Sequence, residues 1–148
     1  MRSKFERIAA LVLVLCMLLV VSCDKQNEES GGVATLVVAG EEIAEYEVEL
    51  DGLDLSEGVI SLLKSLKSDG VLDYSMSGTM LESVGDVAND AAANKWIYVY
   101  TSVAADADVS QYATTVEYNG QTLTSSGVGA SDMHIEDGAV IYIGLISW

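Results

Sequence analysis

The chain has 148 residues and a net charge of −16, with seven basic residues against 23 acidic ones and no proline. That charge repels nucleic acid and anionic lipid headgroups, so neither is expected as a partner. Only two cysteines and one histidine are present, which leaves few agents for catalysis, and no enzyme is predicted.

Arg2, Lys4 and Arg7 precede an apolar run from Ile8 to Val21, and small residues follow before Cys23. A basic head, a greasy stretch and a small-residue cleavage point describe a secretory signal peptide over residues 1–22. The run is 14 residues long, short of the about 20 that a membrane span needs. Val20-Val21-Ser22-Cys23 resembles the lipobox of bacterial lipoproteins. The resemblance implies that Cys23 carries diacylglycerol, becomes the first mature residue and holds the protein on the extracytoplasmic side of a cell membrane. Residues 23–148 would then carry four lysines against 22 acids, no arginine and no phenylalanine. Acyl chains must supply the attachment, because no basic patch is available to help them.

Residues 23–32 are polar and glycine-ended, and read as a flexible tether of about 3.3 Å per residue when extended. The rest, 33–148, reads as one domain. Val33 to Ala39 is a short strand, and Gly40-Glu41-Glu42 turns the chain. Then Ala44, Tyr46, Val48 and Leu50 alternate with Glu45, Glu47, Glu49 and Asp51, the pattern of a half-buried antiparallel strand. Its acidic row reads as a solvated face that discourages edge pairing.

Asp54 or Ser56 is placed to cap a helix running to about Lys67. Val59, Leu62, Leu63 and Leu66 fall on one face, while Ser61, Lys64, Ser65 and Ser68 face out. Gly70 is placed to end it. Val71 to Met76 reads as a short strand, and Ser77 to Asn94 as a long loop, with room for a turn or one short strand, anchored by Leu81, Val84 and Val87. Trp96 to Val103 is a strand on its β-branched and aromatic content. Asn119-Gly120 between alternating runs marks a hairpin. Asp137-Gly138 precedes a last run, Ala139 to Ile146, apolar on both faces and so central in its sheet. The whole predicts an α+β fold, β-grasp-like, with a curled, mostly antiparallel sheet packed on one amphipathic helix.

The helix opening near Leu55-Ser56-Glu57-Gly58-Val59, the strand opening at Trp96, and Asp137-Gly138-Ala139-Val140 follow in an order that resembles a known family. It is the group of bacterial surface domains related to the C-terminal domain of transcobalamin and intrinsic factor. The resemblance covers Leu50 to Ile146 and implies a β-grasp-type fold. It also implies cobalamin or a related corrinoid as ligand, with a partner supplying the other wall. Ala139 stands where the family usually has an acid, and Thr101-Ser102 where it has Asn-Gly.

Trp96, Tyr98 and Tyr100 share one face of their strand. Such a row, with Tyr112 and Tyr118, suits stacking on a flat corrin or a sugar ring; it equally suits packing against a neighbouring strand. Asp106, Asp108, Ser110, Tyr112, Thr114 and Glu117 occupy alternate positions of a calcium-loop register. Gln111 replaces the sharp-turn glycine and strands flank the segment, so a plain acidic loop is the ordinary reading. His134 forms a His-x-Glu with Glu136, without the partner motifs of a deaminase or metalloprotease, and stands as a surface residue or a lone metal ligand.

Overall fold

The computed structural model describes residues 31–147, which group as one compact unit. The expected signal peptide and the expected lipidation site Cys23 lie outside the described residues. Strand β1 (Val33–Ala39) and strand β2 (Ile43–Glu49) form an antiparallel hairpin in the register Ala39 opposite Ile43. The Gly40–Glu42 turn docks on Asp86, whose carboxylate accepts the Glu41 N–H at 2.9 Å. A Cβ on Gly40 would stand 1.9 Å from an Asp86 oxygen, so this approach requires glycine. Along β2, Val48 is buried and Tyr46 half-buried, while Glu45, Glu47 and Glu49 are exposed, as the alternation predicts.

The expected single helix is divided. The Asp54 carboxylate accepts bonds from the Ser56 hydroxyl at 2.6 Å and the Ser56 N–H at 3.1 Å, capping a 3-10 turn over Leu55–Glu57. These bonds, the hydroxyl's first, hold the Asp54 carboxyl below its usual pKa. Gly58 then takes a positive φ of 55° before helix α1 (Val59–Ser68). No other residue fits there, because a Cβ would meet the Ala130 carbonyl oxygen at 2.6 Å. Val59, Leu62, Leu63 and Leu66 are buried on α1, as the spacing predicts. Ser61 is also buried, against expectation, because its hydroxyl reaches back to the Asp54 carbonyl across the break. The helix ends in a Schellman motif: Gly70, at φ 69°, donates to Lys67 and Val71 to Leu66.

The Ser77–Asn94 segment is less of a loop than expected, since it holds two strands where at most one short strand was expected. Strands β3 (Tyr74–Ser77), β4 (Met80–Val84) and β5 (Val87–Ala88) pair in order as a small antiparallel sheet. Gly78 and Gly85 open its two-residue turns at positive φ, as primed hairpin turns need. The three anchors Leu81, Val84 and Val87 are what bind it to the core.

The main sheet has six strands in the order β2-β1-β9-β6-β8-β7, with β6 (Lys95–Thr101), β7 (Thr115–Tyr118), β8 (Gln121–Ser125) and β9 (Val140–Ser147). The β7–β8 hairpin turns at Asn119 (φ 49°) and Gly120 (φ 77°). Strand β9 runs parallel to β1 and antiparallel to β6, so it is central as predicted. The architecture is α+β, mostly sheet with one helix. Leu36, Val38, Ile141 and Ile143 of the sheet meet Leu62 and Leu63 of α1 and the anchors of the small sheet in a single core. No helix among the described residues is long and apolar enough to cross a membrane.

Leu63 is fully buried at the centre of this contact. Leu63→Ala is expected to cost about 3 kcal/mol, the usual range for a buried leucine truncated to a cavity, measured as a lower urea midpoint.

Candidate functional site

Strand β6 divides its side chains as a strand must. Ile97 and Val99 pack on the core, and the other face of the strand, with Tyr98 and Tyr100, looks away from it. There Tyr100 meets Tyr98 at 5.8 Å and Tyr142 of β9 at 5.9 Å, and Tyr142 meets Tyr118 of β7 at 6.1 Å. All three contacts are edge-on, at 62°, 83° and 60°, the geometry that ring quadrupoles favour. Of the two sequence readings of the row, these rings follow the packing one: they form an aromatic layer on the sheet face opposite α1. Tyr112 does not join them; it stands 67% exposed in the segment before β7.

The Tyr118 hydroxyl is buried and makes no hydrogen bond of ordinary geometry. Burial, with the nearby Glu45 carboxylate second, pushes its pKa up to about 12. An alkaline absorbance titration should therefore show one of the tyrosines ionising last, at about pH 12, and Tyr118→Phe should remove that step alone.

Trp96 does something different. Strand β6 pairs with β8 only at Tyr100 and Thr101, so the sheet parts beside the first half of β6. Asn89 of the small-sheet segment fills one place there, accepting the Ile97 N–H at 2.7 Å and donating to the Leu81 carbonyl at 2.9 Å. What remains is a cleft of about 190 Å³ bounded by Trp96, Met80, Leu81, Asn89 and Ala130. An adjoining groove of about 460 Å³ shares Trp96, Met80 and Asn89. The indole N–H donates to the Asn94 side chain at 3.2 Å, which fixes the ring. Met80 is 60% exposed, so the cleft presents apolar surface to solvent.

The calcium-loop residues do not converge. Asp106 closes the 3-10 turn Ala104–Asp106 and is 2% exposed. Both its carboxylate oxygens go to one residue: the His134 backbone N–H at 2.6 Å and the His134 Nδ1 at 2.6 Å. Asp108 is spent on a local turn with the Ser110 N–H and hydroxyl, and Glu117, on β7, accepts from Thr122. Among the described residues no three His, Cys, Asp or Glu side chains are placed to hold an ion. The register fails because its first member faces the interior and its last lies in a strand.

The Asp106–His134 pair is the feature that sequence reasoning missed. The two residues are 28 positions apart in different loops, and no spacing joins them. The hydrogen bond to Asp106, and next its charge, raise the His134 pKa above the usual value; Glu136 adds a smaller push. The pair's contribution is whole below the unfolded value of 6.5 and fades as pH rises through the higher folded value. The urea midpoint of the wild type should thus exceed that of His134→Gln near about pH 5.5 and approach it near about pH 9.

No protein-family model matches this chain, and neither does any curated protein. Among solved structures it is similar to one from Ruminococcus gnavus named as a "putative metal binding protein". The two share 14% identity with a TM-score of 0.49, over 79% of this chain and 98% of that one.

Proposed function

We propose that the protein is a lipid-anchored extracytoplasmic binding module that captures cobalamin or a related corrinoid together with a partner. The anchor in this reading is diacylglycerol on Cys23. The domain is taken as β-grasp-like and related to the C-terminal domain of transcobalamin and intrinsic factor. An opening hairpin, one helix across a sheet face and a last strand parallel to the first support that relation.

The observation that carries the ligand assignment is the Trp96 cleft. A fixed indole beside exposed Met80, at a notch where the sheet parts, offers a flat apolar wall to a flat ligand. Ligand pockets for molecules of drug size usually enclose about 300–1,000 Å³. At about 190 Å³ this cleft grips an edge only, which is why the reading includes a partner for the opposite wall. A structural or protein-interaction lipoprotein without small-molecule ligand is the second reading, favoured by the exposed Glu45, Glu47 and Glu49 on the sheet edge. Carbohydrate capture is the weakest reading, since the tyrosines are spent on one another.

Calorimetric titration of the detergent-solubilised chain with cobalamin tests the first reading. Binding heat is expected, with Trp96→Ala weakening it at least about tenfold, or about 1.4 kcal/mol. No heat and no change in corrin absorbance at high protein concentration would remove the vitamin from consideration.

A further inference from the structure

Strand β6 has a gap in one of its two ladders. Its even-numbered residues spend their backbone groups on β9, a ladder that the Ser102 N–H continues by donating to the Val140 carbonyl at 3.0 Å. The odd-numbered residues point the other way. Lys95 exchanges bonds with Asp90 at 2.8 and 2.9 Å, the Ile97 N–H goes to the Asn89 side chain, and the Val99 carbonyl accepts the Ser126 N–H at 2.8 Å. Thr101 pairs with Thr124 of β8. Among the described residues nothing bonds the Ile97 carbonyl or the Val99 N–H. The chain beyond Ser126 does not supply the partners, because the Val128 N–H and carbonyl turn back onto the Ser126 hydroxyl at 3.2 and 2.9 Å.

An open carbonyl and an open N–H two residues apart on one edge match a single residue of an extended chain running parallel to β6. Set opposite Tyr98, that residue donates its N–H to the Ile97 carbonyl and accepts the Val99 N–H with its own carbonyl. The protein already fills the preceding position with an amide, the Asn89 carboxamide, bonded to Ile97 on one side and Leu81 on the other. Two hollows of about 190 Å³ each share Ile97 and Val99, one reaching Leu81 and Met80, the other Val128. Met80 and Val128 are 60% and 42% exposed, so both hollows offer apolar surface to alternate side chains of an added strand. The exposed Glu82 lines the groove that adjoins Trp96, and the chain carries a net charge of −16, which favours a basic segment over an acidic one. We infer that the gap at Ile97 and Val99 receives an extended segment of a partner protein, aliphatic at its centre and flanked by lysine or arginine, as a short parallel strand added to β6. This names the element that the partner inserts, and it rests on the reading above only for there being a partner.

The test uses the detergent-solubilised full chain, labelled with nitrogen-15, and three capped peptides. The first is acetyl-Lys-Val-Val-Val-Lys-amide, the second has glutamate in place of both lysines, and the third is the first with its central valine N-methylated, which removes the N–H meant for Ile97. The Val99 amide is expected to exchange its hydrogen quickly in the free chain and at least about tenfold more slowly with the lysine peptide bound. The glutamate and N-methylated peptides should each bind at least about tenfold more weakly. Glu82→Lys should reduce the preference for lysine over glutamate about two- to fivefold, the range of one exposed ion pair. Unchanged Val99 exchange at saturating peptide, or an N-methylated peptide that binds as tightly as its parent, would overturn the inference. So would Val99 protection in the free chain that rises with protein concentration, which would give the gap to a second copy. Protection of Val99 by the lysine peptide in a chain that gives no heat with cobalamin would uphold the added strand and remove the vitamin. Cobalamin heat without peptide protection would do the reverse.

Discussion

The pairing of β1 with β9 holds this fold together. It joins the first and last strands in parallel, Thr35 opposite Val140 through Val38 opposite Ile143. Three further bonds close the same end: Thr35 to the Ala139 carbonyl, Gly138 to the Val33 carbonyl, and Val33 to the Asp137 carboxylate at 2.9 Å. Leu36, Val38, Ile141 and Ile143, the residues that α1 covers, are brought side by side by that register. A contact of such long sequence separation makes loop closure costly before it is rewarded, so it slows folding and couples every other element to its completion. The β1–β2 hairpin is local, while the β6–β9 pairing, from Thr101 opposite Ile141 to Lys95 opposite Ser147, is itself long-range but reaches less far along the chain than β1–β9; without the parallel seam they would be two separate pieces of sheet.

The two faces of this sheet are stabilised by different chemistry. On the helix side the contacts are aliphatic and non-directional, and shape matters most. On the other side the tyrosines meet edge to face, which sets ring angles as well as distances. One consequence is the stranded Tyr118 hydroxyl, drawn into the layer by its ring while its oxygen finds no good partner. The buried Asp106 shows the opposite outcome: a charge deep in the protein, tolerated because each oxygen has a donor.

What the sequence made legible was periodic. The acidic alternation of β2, the apolar spacing of Val59, Leu62, Leu63 and Leu66, the Asn119-Gly120 turn and the all-apolar β9 each carry a repeat or a turn signal, and each holds in the structure. Strand β3 overlaps the short strand expected at Val71 to Met76, but β4 and β5 were hidden because they are five and two residues long, so their burial rests on three separated side chains. Two glycines opening two-residue turns were the signal available for them. Ser61 was misplaced because the helix begins anew at Gly58, which turns a serine toward a carbonyl no helical wheel contains. The aromatic row was ambiguous in principle, since alternate residues share a face whether that face is covered or open. The Asp106–His134 pair depends on two loops meeting, which no local pattern encodes.

The parallel seam also gives the molecule a polarity. Gly32 enters beside Asp137, where its backbone is packed too closely for a side chain, at the end of the sheet where β9 begins. Trp96 lies opposite Ile146, six residues further along β9, or about 20 Å away at the rise of an extended strand. Gly32 and the indole therefore lie beside opposite ends of β9. A substitution near Gly32 and one near the indole act on opposite ends of the same strand, with its length between them.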